Sequence, residues 1–225
     1  MENKKRCIVN YSSGGWYNNG SDRILRRLQE TNYDGETLIF RNKLPVFSKK
    51  HSEVPYMFKP YAILEALEKG MQQIIWMDSS VYINKNVNTL FDIIEEQGYL
   101  ILLNGGWNTG QWCSDNALEA LEISREESFN IKHCMSGLFG FDFTRDEPTN
   151  LFYKFLHDAE KTFPGEWKNT GLTSKNPNVL GHRHDQTALS VYAHKANWNF
   201  TDPAINKIAC YGKNEDYIVN FIPAI

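Results

Sequence analysis

Short runs of apolar residues alternate along this chain with longer segments in which apolar residues recur every three or four positions. The short runs predict strands, and they cover residues 7–11, 37–40, 74–77, 99–104 and 133–143. The longer, amphipathic segments predict helices, and they cover residues 21–30, 59–70, 88–98, 150–163 and 185–196. Strands that alternate with helices in this order predict an α/β fold with a mostly parallel central sheet.

Local signals set the expected ends of some of these elements. Pro60 stands near the start of the second predicted helix and Gly70 just past its end, where these residue types are favoured. Ser21 is predicted to cap the first helix, so that residues 12–20, rich in Gly and Asn, form a loop before it. From Trp198 onward no regular period is visible, and this tail is predicted to be irregular.

The composition is that of an ordinary globular protein and excludes several classes of function. The 225 residues include 24 Lys and Arg against 27 Asp and Glu, for a net charge of −3, and no basic block of the kind that binds nucleic acid. The apolar runs are too short for a signal-peptide core or a transmembrane segment, so we expect a cytoplasmic protein. The four cysteines are too scattered for a zinc site. Because no linker or repeat divides the chain, residues 1–225 are predicted to form a single domain.

Asp78 follows the predicted strand 74–77, whose continuous apolar run is typical of a strand covered on both faces. Ligands of open α/β sheets bind beyond the carboxyl ends of the strands, where residues 11–13 are also expected. An acid at such an end, followed by Ser79 and Ser80, suits a divalent cation that carries a diphosphate. On this pattern alone, a turn residue that merely ends the strand is an equally open interpretation of Asp78.

Four segments of the chain, in this order, resemble nucleotide-sugar-dependent glycosyltransferases of the GT-A superfamily. "IVNYSSGGWYNNGSDRILRRL" is similar to their opening strand and nucleotide-contacting loop, and "KPYAILEALEKGMQQIIWMDSSVYI" to the helix and strand that lead into the metal-binding D-x-D. "MSGLFGFDF" resembles their acceptor-side, glycine-containing strand, and "GHRHDQTALSVYAHK" their Asp-Gln helix. The resemblance spans nearly the whole chain. It implies a three-layer α/β/α GT-A fold and the transfer of a sugar from a nucleotide-diphosphate donor, above all a UDP-sugar, to a saccharide or other hydroxyl acceptor.

The resemblance also implies roles for individual residues. The nucleotide-sugar donor would be bound by residues of the first loop and helix and of the D-x-D region, namely Tyr11, Ser12, Ser13, Arg23, Lys59, Asp78, Ser79 and Ser80. Arg23 and Lys59 would face the diphosphate, although a solvated helix face for Arg23 and a loop charge for Lys59 stay open. Asp185 and Gln186 would lie beside the donor sugar as the catalytic residues.

The D-x-D pattern is incomplete, because Ser80 stands where the superfamily has its second acid. A hydroxyl is a neutral and weaker ligand, so the affinity for Mn or Mg should fall. In some retaining members a late histidine is a metal ligand, and His184 is the candidate here, ahead of His194. A capping or surface role for these histidines is the simpler alternative. The resemblance thus implies a divalent metal at Asp78, Ser80 and His184.

Few residues are candidates for binding the acceptor or for deciding the stereochemistry of the transfer. Trp107, in a Gly- and Asn-rich segment, and Gly137 are the acceptor-side candidates. Asp142 and Asp185 are candidates for the base that an inverting enzyme needs, whereas a likeness to glycogenin and bacterial galactosyltransferases favours retention. Two alternatives remain. A sugar nucleotidyltransferase would usually have a basic Gly-rich first loop, and a catalytically silent nucleotide- or sugar-binding protein would explain Ser80.

Overall fold

The computed structural model describes residues 4–223 and has a five-stranded sheet at its centre. The strands within this range are β1 (Arg6–Ser12), β2 (Glu36–Arg41), β3 (Gln73–Met77), β4 (Val81–Ile83), β5 (Tyr99–Asn108), β6 (Lys132–Asp142), β7 (Ala209–Tyr211) and β8 (Val219–Phe221). The α-helices in the same range are α1 (Gly15–Glu30), α2 (Phe58–Glu68), α3 (Asn88–Gln97), α4 (Asp115–Ala120), α5 (Arg125–Ser128), α6 (Asp146–His157), α7 (Ala159–Thr162) and α8 (His184–Lys195).

The central sheet has the strand order β2-β1-β3-β6-β5. Strand β1 pairs in parallel with β2 and β3, while β6 is antiparallel to both β3 and β5. Four of these five strands therefore run in one direction, which confirms the predicted mostly parallel sheet. Strand β6 runs the other way. Earlier residues of β6, and not its last ones, therefore lie at the edge of the sheet where β1 and β3 end.

Alternate residues of β3 face opposite helix layers. Ile74 and Trp76 are buried in one apolar cluster with residues of α2, α6 and α8. Ile75 and Met77 are buried in a second cluster with residues of α1 and α3. Each face of the strand thus has its own core, which explains the continuous apolar run from 74 to 77. The predicted three-layer α/β/α architecture is confirmed.

The first helix begins earlier than the sequence predicted. Helix α1 starts at Gly15, and Gly14 before it has a φ of 87°, a left-handed value that glycine adopts without strain. The predicted loop over residues 12–20 is therefore confirmed only for Ser13 and Gly14 and is wrong for residues 15–20, which are helical. Gly and Asn are usual turn residues, but here they form the first turns of a helix whose position is decided by tertiary contacts.

Those contacts also explain why Ser21 is not the helix cap. Its hydroxyl lies buried within α1 and donates a hydrogen bond to Asn10 Oδ1 at 2.5 Å. One residue earlier, a Cβ on Gly20 would lie 2.2 Å from the carbonyl oxygen of Ser79. Small residues are required at both positions because α1 lies directly against β1 and against the turn that follows β3.

The tail of the chain is more regular than expected. Strands β7 and β8 join β4 in a three-stranded sheet of order β4-β8-β7. The prediction of an irregular tail from Trp198 is wrong for these segments, because strands of three residues are too short to show a period in the sequence. Within residues 4–223, no helix is both long enough and apolar enough to cross a lipid bilayer.

Candidate active site

A cleft of about 370 Å³ opens beyond the carboxyl end of β3. Its volume lies within the usual range of small-molecule sites, which is about 300–1,000 Å³. Six of the residues selected from the sequence line it, namely Lys59, Asp78, Ser80, Gly137, Asp185 and Gln186. They come from α2, from the end of β3, from β6 and from the start of α8, so the fold brings together residues that are up to 127 positions apart (186 − 59).

Lys59 is the centre of this group and is only 1% exposed. Its Nζ lies 2.9 Å from Asp185 Oδ2 and 3.2 Å from Asp78 Oδ1, and it donates a hydrogen bond to the Ser136 carbonyl oxygen at 2.9 Å. The ammonium group thus has one hydrogen-bonded acceptor, the Ser136 carbonyl, and two carboxylates within ion-pair distance. Lys59 fixes the two carboxylates relative to each other and is not a loop charge.

The electrostatics of Lys59 follow from this pairing. Burial alone would lower the pKa of its ammonium group, but the Asp185 and Asp78 carboxylates outweigh burial and raise the pKa above its usual range. The ring of Tyr56 adds to this, since its centroid is 4.9 Å from Nζ. Lys59 is thus a permanent positive charge at neutral pH, held between two acids.

Asp78 is oriented by more than the lysine. The indole Nε1–H of Trp76 donates a hydrogen bond to Oδ1 at 2.7 Å, and the backbone N–H of Asp78 donates to the Gly137 carbonyl at 2.8 Å. A Cβ on Gly137 would lie 3.3 Å from Asp78 Oδ2. Glycine at this position therefore keeps the space beside Oδ2 open to the cleft.

Helix α8 carries the two predicted catalytic residues. It packs against β6, where Ser190 Oγ accepts a hydrogen bond from the Cys134 N–H at 2.9 Å and the Gln186 amide donates to the Cys134 carbonyl. This contact sets the first turn of α8 beside Lys59 and leaves the Asp185 side chain 3% exposed. Gln186 lines the cleft as well. Both roles remain predictions.

Arg23 lies outside the lining of the cleft. Its guanidinium donates hydrogen bonds to the carbonyl oxygens of Ser79 at 3.1 Å and Pro223 at 3.2 Å, and it stacks over the Tyr82 ring. It ties α1 to the turn after β3 and to the end of the described chain. Both terminal nitrogens of the guanidinium already donate to protein carbonyl oxygens, so this geometry gives no support to a direct contact with a diphosphate, which stays a prediction.

The other predicted nucleotide residues also lie outside the lining of this cleft. The Tyr11 ring packs on Phe58 with 4.5 Å between ring centroids, and the Ser12 hydroxyl donates to Asn18 at 2.8 Å. Ser79 is buried, whereas Ser13 is exposed. These residues surround the end of β1, and their predicted contacts with a nucleoside remain untested. Trp107 is likewise outside the lining and 43% exposed.

The rings of His182 and His184 both bond to backbone groups of the protein, whereas His194, later in α8, is exposed. His182 is buried, accepts a hydrogen bond from the Ser114 N–H at Nδ1 and donates from Nε2 to the Thr162 carbonyl. Burial, with a smaller contribution from His184, lowers the pKa of His182 to about 3. His184 donates from Nδ1 to the Phe163 carbonyl at 2.8 Å, and burial lowers its pKa.

Asp142 lies at the opposite edge of the sheet. It pairs in register with Gln73, the first residue of β3, because β6 is antiparallel. Lys4 Nζ lies 2.8 Å from its carboxylate, which is fully buried. Burial alone would raise the pKa of Asp142, but hydrogen bonds from Lys4 and Thr144 outweigh burial and lower it. Its place in the sheet makes Asp142 a structural acid and removes it from the candidates for an acceptor base.

The residues of the cleft suit a divalent cation only if phosphate oxygens of the substrate supply further ligands. Asp78 Oδ2 and the Ser80 side chain are at the cleft, but His184 is not part of its lining. Among residues 4–223, no group of three His, Cys, Asp or Glu side chains could hold a metal ion. Magnesium is often held by one or two carboxylates, with phosphates and water completing its shell. A cation at Asp78 would need the donor's phosphates in the same way.

Several cleft residues had not been selected from the sequence. The most prominent are Arg183 and Trp167, which lie at the same wall as Tyr56 and form part of an aromatic cluster with His184. Arg183 stands two residues before Asp185, in the segment "GHRHDQ", whose His184, Asp185 and Gln186 were predicted site residues whereas the arginine was not. Trp167 gave no signal that separates it from a packing tryptophan.

No protein-family model and no curated protein sequence matches this chain. Solved structures are similar in fold. A glycosyltransferase involved in the glycosylation of the major capsid of PBCV-1 superposes with a TM-score of 0.53 at 13% identity, covering 96% of this chain and 92% of that one. Mouse xyloside xylosyltransferase 1 gives 0.52 at 10% identity, covering 93% and 88%. The bifunctional glycosyltransferase WbbM gives 0.54 at 8% identity, covering 92% of this chain and 40% of that one. At these identities the likeness establishes the fold, which is a GT-A-like glycosyltransferase fold.

Proposed function

We propose that this chain is a glycosyltransferase that moves a sugar from a nucleotide-diphosphate donor to a hydroxyl group of a saccharide or other acceptor. The observation that carries the proposal is the group formed by Lys59, Asp78 and Asp185 at the carboxyl end of β3. In open α/β sheets this edge is where ligands bind. The fold shared with known glycosyltransferases supports the same reaction class, and a UDP-sugar is the proposed donor.

In the proposed reaction, the bond between C1 of the donor sugar and a phosphate oxygen breaks, and the acceptor oxygen forms the new bond to C1. The proton of the acceptor hydroxyl must then pass to a base or to the leaving phosphate. Both acids at the cleft, Asp78 and Asp185, are paired with Lys59, so neither is a free base. We therefore favour the retaining course, in which a leaving phosphate oxygen takes the proton. Gln186, beside Asp185, is proposed to orient the donor sugar.

A divalent cation, Mn or Mg, is proposed to bind at Asp78, with Ser80 as a weak second ligand. When bound, it would supply positive charge opposite the diphosphate of the leaving nucleotide. The protein's own part is to hold the Asp78 carboxylate in place through Trp76 and Lys59. Because the protein contributes a single carboxylate, binding of the cation is expected to depend on the nucleotide.

A catalytically silent nucleotide-sugar-binding protein is the second candidate. The observation that favours it is Ser80 in place of an acid, together with the ion pairs that Lys59 forms with both carboxylates. Such a protein would bind the nucleotide sugar and leave it intact. Release of the free nucleotide from the donor therefore separates the two candidates.

The test uses the wild-type chain, Asp78→Asn and a control, Asp92→Asn, whose carboxylate is largely exposed and lies outside the cleft lining. Melting temperatures are measured with a panel of nucleoside diphosphates and nucleotide sugars, with and without Mn, and donor turnover is followed as nucleotide release. We expect one nucleotide to raise the melting temperature selectively, since a ligand of the native state stabilises it. Asp78→Asn should lose turnover while Asp92→Asn keeps it. Equal turnover in all three proteins would refute the assignment of Asp78.

A further inference from the structure

The guanidinium of Arg183 is held between two tryptophan rings at the wall of the cleft. Its Cζ lies 3.7 Å from the ring centroid of Trp112 and 3.7 Å from that of Trp167. Stacking on both faces leaves only the edge of the guanidinium for hydrogen bonds. One edge donor, Nη1, bonds to the Trp167 carbonyl at 3.0 Å. The plane of the group is therefore fixed in space.

The backbone that carries this sandwich is equally well fixed. The Arg183 N–H donates to the Trp112 carbonyl at 3.1 Å, and the His182 N–H donates to the Glu166 carbonyl at 2.8 Å. A Cβ on Gly181 would lie 2.1 Å from the Trp167 carbonyl oxygen, so only glycine permits this approach of the two segments. The sandwich is thus built by three segments of the chain that are held together by backbone hydrogen bonds.

Lys59 forms ion pairs with carboxylates of the protein, whereas Arg183 bonds to a backbone carbonyl. Arg183 is partly exposed and lines the cleft next to Asp185. Among residues 4–223, no carboxylate lies within ion-pair distance of Arg183, and the edge of its fixed guanidinium matches the two oxygens of a phosphate or a carboxylate.

We propose that Arg183, clamped between Trp112 and Trp167, is an oxyanion-binding group of the cleft that takes a phosphate or carboxylate of a substrate. This inference rests on the proposed function, because it concerns the substrate of the same cleft. The oxyanion has two possible sources, the diphosphate of the nucleotide donor or the acid group of an acidic saccharide acceptor. Arg183 sets the specificity for a charged ligand in either case.

The experiment compares the wild type with Arg183→Gln, Arg183→Lys and a control, Arg26→Gln, which removes an exposed charge on α1. The probes are UDP, inorganic pyrophosphate, glucuronate and, as a neutral reference, glucose. Dissociation constants are measured by intrinsic fluorescence, to which the two tryptophans that flank Arg183 contribute among the six of the chain. Melting temperatures of the four proteins are recorded without ligand to verify folding.

Arg183→Gln is expected to weaken binding of the recognised oxyanion by about 10- to 100-fold, the equivalent of losing one or two hydrogen bonds to a charged group. Arg183→Lys keeps the charge but loses the planar edge, so it should restore only part of the affinity. Arg26→Gln should bind all probes as the wild type does. Loss for UDP and pyrophosphate alone identifies the donor phosphate as the source, and loss for glucuronate alone identifies an acidic acceptor.

The proposal is overturned if Arg183→Gln binds every probe as tightly as the wild type, or if the wild type binds neither pyrophosphate, UDP nor glucuronate at millimolar concentration. The proposed glycosyl transfer fails by a different result, namely that no nucleotide sugar binds or is turned over by the wild type. Pyrophosphate and glucuronate still test Arg183 in that case, so the two failures are distinguishable.

Discussion

Replacing Lys59 by methionine removes the one cation that holds two acids together at the base of the cleft. Methionine keeps the length and the apolar stem of lysine, so the change is mainly the loss of the ammonium group. Asp185 would then be left as a carboxylate in a site where it is 3% exposed, whereas Asp78, at 31%, can be rehydrated. Most of the destabilisation should therefore come from Asp185.

Breaking a buried ion pair by removing one partner typically costs about 3–5 kcal/mol, because the remaining charge is buried without compensation. The Ser136 carbonyl also loses its hydrogen bond from Lys59, which adds to the cost. Domains of this kind are stable by about 5–15 kcal/mol. Lys59→Met should therefore remain folded in water but unfold at a much lower urea concentration than the wild type.

The assay is urea unfolding followed by tryptophan fluorescence, for the wild type, Lys59→Met, Asp185→Asn and the double variant. The double variant no longer contains the uncompensated carboxylate, so its loss of stability should be smaller than the sum of the two single losses. The coupling energy from this cycle is expected to be about 0.5–3 kcal/mol, the range for residues in direct contact. Lys69, a lysine on the surface just after α2, provides the control Lys69→Met, which should change the midpoint little.

Two results would refute this reasoning. If Lys59→Met lowers the free energy of unfolding by less than about 1 kcal/mol, the ammonium group is not the compensating charge that the distances indicate. If the cycle is additive, Lys59 and Asp185 do not interact, and the 2.9 Å separation has no energetic meaning. An unchanged urea slope among the variants is needed for either conclusion, because a changed slope would mean that the unfolding transition itself differs.

Two further predictions concern other parts of the fold. Gly137→Ala would set a Cβ 2.7 Å from Phe221 Cε1, so the Phe221 ring, which lines the cleft, must shift. We expect UDP to bind about tenfold more weakly in a titration, and an unchanged affinity would contradict this use of the glycine. Asp142 has a lowered pKa in the folded state, so its ion pair stabilises the protein above the ordinary carboxyl pKa of about 4 and is lost as the pH falls through the lower, folded value. Asp142→Asn should lower the free energy of unfolding at neutral pH by about 1–3 kcal/mol. In a plot of the urea midpoint against pH, the variant should lose less stability than the wild type as the solution becomes acidic. An equally steep loss in both proteins would show that Asp142 does not contribute to the acid sensitivity.

The sequence was sufficient for the layers of the fold because each central element has a strong local pattern. The run 74–77 is apolar at every position, and β3 is indeed buried on both faces. The start of α1 was not predictable in the same way, since the reason for Gly20 and Ser21 is contact with Ser79 and Asn10, far away in the sequence. Local propensity describes a segment alone and cannot describe a contact that the fold creates.

The direction of β6 decides which of two similar strand-end acids, Asp78 or Asp142, lies at the cleft. Asp142 follows an apolar run just as Asp78 does, and both are strand-end acids in the sequence. The sheet pairs Asp142 with Gln73 at one edge and brings Gly137 to Asp78 at the other. A strand's direction depends on its connections and partners, so no pattern within residues 133–143 could have separated a cleft residue from a structural acid.

Ser80 and Lys59 belong to one electrostatic argument. With a serine at position 80, the cleft contains the Asp78 and Asp185 carboxylates and one buried lysine that pairs with both. A third carboxylate at that position would add a like charge beside Asp78, and like charges in a shared site disfavour ionisation unless a further cation is present. The neutral hydroxyl avoids this cost. Because Lys59 already holds both acids in position, we expect the divalent cation proposed at Asp78 to be less necessary here than in a site with a complete D-x-D.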